Sequence, residues 1–233
     1  MKIALLGYGK MGTLLEQSAH AKGHCIVARF SQHLGLAHDR KNELAQADLA
    51  IDFSTPSCVL PHLELCLKMG KPLVIGTTGW DQDEAIAKKM VETMSGSCLY
   101  APNFSIGVYL FKQIVAYAAT LFEPLMDYDV CGVEYHHKKK IDRPSGTAQS
   151  LSDELLRKMP RIGNFSFSSV RSGSFPGRHT LIFDSSVDTV TLTHDARNRE
   201  GFAQGAIRAA EWLLHKQGFF SFDDMMQGLE ISD

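Results

Sequence analysis

The sequence predicts an α/β protein that has a doubly wound parallel sheet at its N-terminus and an α+β unit after it. Over about the first hundred residues, short apolar runs alternate with amphipathic segments, which is typical of βαβ units. After residue 104, one long apolar helix is followed by several alternating runs, which favour a mostly antiparallel or mixed sheet. We therefore expect two domains. One comprises residues 1–104 together with a returning segment, 199–233, and the other comprises residues 105–198.

The strands and helices of the first domain are expected from the spacing of the apolar residues and from the residues that end helices. Continuous apolar runs predict buried strands, and helical spacing predicts helices, which Gly23 and Gly70 end and Pro56 begins. The expected strands lie in 2–6, 24–30, 48–54, 72–80 and 97–105. The expected helices lie in 11–23, 56–71 and 81–96, and the segment 32–47 is polar and poorly periodic.

The second domain begins with a long apolar helix, expected in 105–125, and contains a shorter helix, expected in 147–158. Four strands are expected in 129–137, 164–173, 179–185 and 187–196. The last helix, expected in 201–218, has its apolar residues on one stripe. This pattern is consistent with a helix that returns to pack on the first domain.

The composition is that of an ordinary soluble protein. The 233 residues are 44% hydrophobic and carry a formal net charge of -2, which argues against a broad nucleic-acid or anionic-membrane surface. No apolar run approaches the roughly 20 residues of a membrane span, and the N-terminal run lacks a signal-peptide cleavage site. The five cysteines are widely spaced and include no CxxC pair. We expect a cytoplasmic protein without disulfides or a metal site.

A glycine-rich turn follows the first strand and opens the first helix. The residues Gly7, Tyr8, Gly9, Lys10, Met11 and Gly12 form the pattern G-x-G-x-x-G. The first glycine permits a tight turn, the second lets the backbone approach a pyrophosphate, and the third lets the helix pack closely on the strand. The N–H groups at the start of the helix favour an anion. In this βαβ context, the pattern predicts a Rossmann-type dinucleotide-binding domain.

The preferred dinucleotide depends on the residues at the end of the second strand. NAD-binding proteins usually carry an acidic residue about 20 residues after the glycines, where it binds the ribose 2′-hydroxyl. Arg29 and Ser31 occupy this region here, and no acidic residue follows until Asp39. Both side chains can bind a 2′-phosphate, so the sequence favours NADPH over NADH. A solvated arginine is the alternative, and NADH stays a candidate.

Two further loops follow strands of the predicted parallel sheet, whose carboxyl edge is where ligands bind. The loop residues are Gly76, Thr77 and Thr78 in the first, and Ala101, Pro102, Asn103 and Phe104 in the second. Their small and hydroxyl-bearing side chains suit a nicotinamide ribose. Plain turns are an alternative that the sequence leaves equally open.

A basic cluster lies in residues 134–148, which read EYHHKKKIDRPSGTA. Its candidate site residues are His136, His137, Lys140, Arg143, Ser145, Gly146 and Thr147. A turn that opens a helix offers backbone N–H groups to a carboxylate, and Lys140 or Arg143 can neutralise the charge. Beside a dinucleotide-binding fold, the cluster therefore predicts a site for an anionic substrate. A solvated basic loop is the alternative.

The order of the motifs resembles that of the dihydrodipicolinate reductase family, whose members are also called 4-hydroxy-tetrahydrodipicolinate reductases. The motifs are GYGKMG, DFSTP, VIGTTGW, APNFSIGV, EYHHKKKIDRPSGTA, RSGSFPGRH and FAQGAIRAAEWL. The resemblance covers nearly the whole chain, and the HHxxKxDxPSGT pattern is its most specific part. It implies reduction of a cyclic dicarboxylate with NADPH or NADH on the diaminopimelate route to lysine, and a homotetramer.

Carried onto this sequence, the resemblance implies that His136 is the acid/base group and that Lys140 is the proton donor. The substrate carboxylates would be held by His137, Ser145, Gly146 and Thr147. The cofactor would lie along Gly7–Gly12, Gly76–Thr78 and Ala101–Phe104. The sequence departs from the family pattern at Arg143, where alanine is typical, and in lacking the acidic residue after the second strand.

Together these observations predict an oxidoreductase that transfers hydride from NADPH or NADH to a small heterocyclic dicarboxylate. We expect no nucleic-acid or membrane partner. The sequence leaves two alternatives to this function. Another two-domain NAD(P) dehydrogenase would share the glycine turn but would have no need of HHxxKxDxPSGT. A nucleotide-sensing regulator would need a DNA- or partner-binding module, and the sequence shows no basic recognition helix.

Overall fold

A computed structural model describes residues 1–33, 35 and 37–229, and the chain divides into two compact units. The first unit combines Met1–Phe104 with the chain from Glu200 onward, and the second unit is Ser105–Arg199. The last four residues of the expected returning segment, 230–233, lie outside the described residues.

Ten strands and eight α-helices lie within the described residues. The strands are β1 (Lys2–Leu6), β2 (Cys25–Phe30), β3 (Leu49–Asp52), β4 (Leu73–Ile75), β5 (Ser97–Tyr100), β6 (Asp129–His136), β7 (Phe167–Arg171), β8 (Arg178–Asp184), β9 (Thr189–Asp195) and β10 (Gly218–Ser221). The helices are α1 (Lys10–Ala21), α2 (Lys41–Ala45), α3 (Val59–Lys68), α4 (Glu84–Thr93), α5 (Ile106–Phe122), α6 (Gly146–Lys158), α7 (Glu200–Leu213) and α8 (Phe222–Leu229).

The first unit is built on a six-stranded sheet with the strand order β10-β5-β4-β3-β1-β2. All of its strand pairs are parallel. Every residue of β3, β4 and β5 is buried, which explains why these strands read as continuous apolar runs. From β1 the chain runs to β2 on one side and then to β3 on the other. The carboxyl ends of β1 and β3 therefore border the switch point, where such sheets bind ligands.

Helix α7 belongs to the first unit and packs closely on the loop that follows β5. The closest approach is at Gly205, where a Cβ atom would lie 1.8 Å from the carbonyl oxygen of Phe104. Its neighbours Ala206, Ile207 and Ala210 are fully buried. The small residues of this helix thus set how closely it can approach the loop.

The second unit contains a four-stranded sheet with the strand order β7-β6-β8-β9. Strand β6 pairs in parallel with β7 and antiparallel with β8, and β8 pairs antiparallel with β9. Alternate residues of β8 are buried, as expected for a sheet with one covered face. Helices α5 and α6 supply that cover, since Phe111, Val115, Leu151 and Leu155 pack in one buried cluster with Leu181.

The predicted fold class is confirmed, because a doubly wound parallel sheet precedes a second unit with a mixed sheet. Three short elements were not expected: α2 in the polar segment, and β10 and α8 after the last predicted helix. Strand β10 has only four residues, and it forms by parallel pairing with β5, a contact that local periodicity does not encode.

Within the described part of the chain, no helix combines the length and apolar character needed to cross a bilayer.

Candidate cofactor site and candidate active site

The glycine turn after β1 has the close contacts that explain its glycines. Gly7 has a φ of 92°, and a Cβ atom there would lie 2.3 Å from the carbonyl oxygen of Phe53. A Cβ atom on Gly12 would lie 2.7 Å from the carbonyl oxygen of Gly7. At Gly9, by contrast, no atom lies within 4 Å of the Cβ position. Two glycines thus permit close packing, and Gly9 leaves the backbone open to a ligand.

Helix α1 begins at this open position, and no side chain of the N-cap residue caps it. Gly9 is the N-cap residue, no side chain accepts a hydrogen bond from the first turn, and that turn contains no acidic residue. Lys10 is exposed at the first helical position. The N-terminus therefore keeps its N–H groups and its positive dipole end for an anion. These features fit the pyrophosphate of a dinucleotide.

The loops after β3 and β4 are held together by the buried carboxylate of Asp52. Its Oδ1 atom accepts hydrogen bonds from the Ser54 backbone N–H at 2.8 Å, from the Ser54 hydroxyl at 2.6 Å and from the Thr77 hydroxyl at 2.7 Å. Its Oδ2 atom lies 2.7 Å from Nδ1 of His62. A Cβ atom on Gly76 would lie 2.1 Å from the ring of Phe53. The predicted Gly76–Thr78 loop is therefore fixed at the carboxyl edge of the sheet.

Arg29, predicted to bind a 2′-phosphate, forms a two-point ion pair with Glu16 of α1. Its Nε atom lies 3.0 Å from Oε2 of Glu16, and its other contact, from Nη2 to Oε1, is shorter still. Tyr8 donates its hydroxyl to the same carboxylate. Hydrogen bonds from Arg29 lower the pKa of Glu16 to about 2, and those from Tyr8 add to this effect. The arginine side chain is 34% exposed, so part of its guanidinium faces solvent.

The predicted catalytic cluster lies in the second unit, at the end of β6. Glu134 and His136 are two residues apart in the strand and both face the covered side of the sheet. Oε1 of Glu134 accepts hydrogen bonds from the Ser145 backbone N–H at 3.0 Å, from the Ser169 hydroxyl at 2.6 Å and from Arg171 at 2.7 Å. Burial alone would raise the pKa of Glu134, but these three donors hold it at about 2.

Two histidines face the other oxygen of Glu134. The distance from Oε2 is 3.3 Å to Nδ1 of His136 and 3.6 Å to Nε2 of His179. Burial lowers the pKa of His136, and the negative charge of Glu134 opposes this shift. Burial lowers the pKa of His179 to about 4, and the nearby His136 adds to the effect. His179 is therefore neutral at physiological pH.

The three lysines of the loop after β6 differ in their contacts and exposure. The Lys140 backbone N–H donates to the His137 carbonyl at 3.0 Å, which closes a turn, and Nζ of Lys140 lies 2.8 Å from Asp142. Lys138 and Lys139 are exposed. The His137 backbone N–H donates to the Phe175 carbonyl at 2.9 Å. Lys140 is thus held through both its backbone and its side chain.

Helix α6 begins at the predicted substrate-binding turn. Ser145 is its buried N-cap, whose hydroxyl accepts a hydrogen bond from the Ala148 N–H at 3.2 Å and lies 3.2 Å from Nε2 of His179. Gly146 is exposed, and no atom lies within 4 Å of its Cβ position. Thr147 follows in the first turn, which contains no acidic residue. The start of this helix can therefore receive a carboxylate.

The structure brings the predicted residues of the second unit to one end of its sheet, and it adds residues that the sequence argument missed. Glu134, Arg171 and His179 were not among the candidate residues. The alternation of β6 could have identified Glu134, because it places this side chain on the same face as His136. Arg171 comes from a separate strand, so no local pattern indicated its contact with Glu134.

The open glycine turn on a doubly wound sheet, together with a buried histidine cluster and an anchored lysine, defines a dinucleotide-dependent oxidoreductase. Two family descriptions match the chain: dihydrodipicolinate reductase, N-terminus, over residues 1–104, and dihydrodipicolinate reductase, C-terminus, over residues 107–226. The chain belongs to the dihydrodipicolinate reductase family. The predicted family, enzyme class and use of NADH or NADPH are confirmed, as is the reduction step on the diaminopimelate route to lysine.

Relatives agree with this assignment, and a solved structure shares the fold. A 4-hydroxy-tetrahydrodipicolinate reductase from Christiangramia forsetii is 36% identical, and the match covers 98% of this chain and 99% of the relative. A reductase of the same name from Archaeoglobus fulgidus is 33% identical over 97% of this chain and 100% of the relative. The fold is similar to that of a dipicolinate-bound dihydrodipicolinate reductase from Paenisporosarcina sp. TG-14, with a TM-score of 0.79, 24% identity and coverage of 95% and 97% of the two chains.

The neutral state of His179 predicts a pH-dependent stability. Its pKa of about 4 in the folded protein lies below the ordinary value of 6.5, so unfolding takes up a proton between these two pH values. Stability is therefore fully present above pH 6.5 and is lost as the pH falls toward 4. The amide of His179→Gln does not titrate and can still hydrogen-bond to the Ser145 hydroxyl. Over this pH range we therefore expect the free energy of unfolding of the variant to fall by about 3 kcal/mol less than that of the wild type.

Urea unfolding at a series of pH values measures this difference. Parallel curves for the wild type and His179→Gln would contradict a buried neutral histidine.

Proposed function

We propose that the chain reduces 4-hydroxy-tetrahydrodipicolinate to tetrahydrodipicolinate, with His136 as its acid/base group and Lys140 as its proton donor. The observation that carries this proposal is the arrangement at the end of β6, where Glu134 faces His136 and the Nζ atom of Lys140 pairs with Asp142. When bound, NAD(P)H supplies the hydride. The chain's own groups hold the substrate, neutralise its charge and move the proton.

The substrate carboxylates are proposed to bind at the start of α6. Gly146 and Thr147 lie where a helix offers N–H groups and a positive dipole end. Nδ1 of His137 is a buried atom without a hydrogen-bond partner among the described residues, so it suits a carboxylate oxygen. Ser145 acts by fixing the first turn of the helix, since its hydroxyl already serves as the cap. The Paenisporosarcina reductase binds dipicolinate, a dicarboxylate, and we propose the same class of ligand here.

The cofactor is proposed to lie along the carboxyl edge of the first unit. The open backbone at Gly9 and the uncapped start of α1 support binding of its pyrophosphate. Arg29 is proposed to contact the 2′-phosphate of NADPH. The remaining proposed cofactor-binding residues are Gly7, Tyr8, Lys10, Met11, Gly12, Gly76, Thr77, Thr78, Ala101, Pro102, Asn103 and Phe104.

A homotetramer located in the cytoplasm is also proposed. Helix α5 has an exposed apolar stripe with i, i+4, i+7 and i+11 spacing: Leu110, Ile114, Tyr117 and Leu121 are 46%, 54%, 69% and 53% exposed. Monomeric proteins rarely expose contiguous apolar patches of large area, so this stripe supports association of copies of the chain.

The first test compares neighbouring lysines. Lys140→Ala and His136→Ala should each lower kcat by about 10²–10⁴, the usual effect of losing a positioned proton-transfer group. Lys139→Ala, which removes the same charge from an exposed position, should leave kcat within about threefold. The assay couples the chain to a synthase that supplies the unstable substrate and follows NADPH absorbance. Equal damage at Lys139 and Lys140 would show that the cluster acts only as a charge patch.

The second test concerns the coenzyme. We expect kcat/KM for NADPH to be at least that for NADH, and Arg29→Asp should shift the ratio toward NADH because a carboxylate repels the 2′-phosphate. Glu16→Gln removes the carboxylate that pairs with Arg29, so it should shift the ratio toward NADPH. A tenfold preference of the wild type for NADH would reject the role of Arg29.

The third test measures the mass of the assembly by light scattering after gel filtration. The wild type should have about four times the chain mass of 25.8 kDa. Ile114→Lys combined with Tyr117→Lys should reduce that mass, because charged ammonium groups oppose burial of the stripe. Gln113→Lys adds a charge beside the stripe and serves as the control. A monomeric wild type would reject the tetramer.

A further inference from the structure

Two buried polar atoms face each other at the end of β6. They are Oε2 of Glu134 and Nδ1 of His136, which lie 3.3 Å apart. Neither atom has a hydrogen-bond partner among the described residues, although the glutamate is fully buried and His136 is only 7% exposed. Buried polar atoms in native proteins are almost always paired, and Nδ1 of His136 is closer to Oε2 than Nε2 of His179 is, at 3.3 Å against 3.6 Å.

The ionised glutamate can only accept a hydrogen bond from its partner. Its Oε1 atom already receives three hydrogen bonds, one of them from the buried guanidinium of Arg171. These donors keep the carboxylate ionised, and an ionised carboxylate has no proton to donate. A proton between Oε2 and the imidazole must therefore belong to Nδ1 of His136.

The other nitrogen of the imidazole lies beside a glycine. Gly177 borders Nε2 of His136, and a Cβ atom at this glycine would lie 3.1 Å from that nitrogen. Glycine thus avoids a close contact at the ring atom that points away from Glu134. The two nitrogens of one ring have different surroundings: a carboxylate at Nδ1 and a side-chain-free backbone at Nε2.

We propose that Glu134 is a positioning residue, which holds the proton of His136 on Nδ1 and so makes Nε2 the atom that exchanges protons with the substrate. This inference rests on the proposed acid/base role of His136. Glu134 touches neither substrate nor cofactor in this proposal. It acts by selecting the tautomer of the histidine and by stabilising the imidazolium that forms when Nε2 takes up a proton.

The other charged and titratable groups around His136 do not replace Glu134. On β8, His179 is neutral, and its Nε2 atom lies 3.2 Å from the Ser145 hydroxyl. On β9, His194 lies opposite His179. From β7, Arg171 is bound to Oε1 of Glu134. From the loop after β6, Lys140 and Asp142 pair with each other. Among these groups of the described chain, Glu134 provides the acceptor nearest to Nδ1.

The sharpest test exchanges the carboxylate for an amide. In Glu134→Gln, the amide oxygen should take the three hydrogen bonds that Oε1 receives, because all three come from donors. Its NH2 group then faces Nδ1 and donates to it, so the proton of His136 must move to Nε2. Nitrogen chemical shifts of 15N-histidine distinguish the two tautomers directly in the free enzyme.

We expect the Nδ1–H tautomer in the wild type and the Nε2–H tautomer in Glu134→Gln. The variant should lose at least about 10²-fold in kcat with little change in KM, as happens when a catalytic histidine is held in the wrong tautomer. The pKa of His136 should also fall in the NMR titration, because the carboxylate no longer stabilises the imidazolium. An unchanged pKa together with an unchanged tautomer would overturn the proposal.

Ser169→Ala is the matched control. It removes a hydrogen bond to Oε1 but leaves the charge and Oε2 in place, so His136 should keep its Nδ1–H tautomer. If Glu134→Gln does not fold, the wild-type tautomer decides by itself, and an Nε2–H tautomer would reject the inference.

The same measurements separate this inference from the proposed function. A tautomer change in Glu134→Gln without loss of kcat would overturn the catalytic consequence of the positioning. A wild type that does not oxidise NADPH with the dicarboxylate would reject the proposed function, whereas the tautomers would still report on Glu134.

Discussion

The second unit depends on one buried and ionised carboxylate. Oε1 of Glu134 accepts hydrogen bonds from Ser145, Ser169 and Arg171, so a single atom joins the start of α6 to β7. Removing one partner of a buried ion pair typically costs about 3–5 kcal/mol, because the remaining charge stays buried without compensation. The same side chain also faces His136 across 3.3 Å. The start of the helix and the histidine are therefore positioned by one group.

A similar arrangement holds the first unit at the carboxyl edge of its sheet. Asp52 is fully buried and binds Ser54 and Thr77 through one oxygen and His62 through the other. Backbone N–H groups that leave a strand need acceptors, and this carboxylate supplies one to the loop after β3. In both units, a buried carboxylate gives a loop a defined position that apolar packing alone would not specify.

Local periodicity was sufficient for β1 to β5 and for the glycine turn, because these features depend on neighbouring residues in the chain. It failed for β10, which exists only through its pairing with β5. The residues from His136 to Thr147 could be proposed as a site because they form one contiguous motif. Arg171 lies 37 residues after Glu134 in the sequence, and only the parallel pairing of β6 and β7 brings them together.

The surroundings of each side chain, more than its chemical type, distinguish the proposed proton-transfer groups from their neighbours. His136 and His179 lie beside the same carboxylate, yet His136 presents Nδ1 to it at 3.3 Å and His179 presents Nε2 at 3.6 Å, and burial lowers the pKa of His179 to about 4. Lys139 and Lys140 are adjacent and identical, yet only Lys140 has the contact with Asp142. Composition cannot distinguish such pairs. The charge of this loop therefore indicates only an anion site, and the contacts around each nitrogen are needed to propose which group transfers a proton.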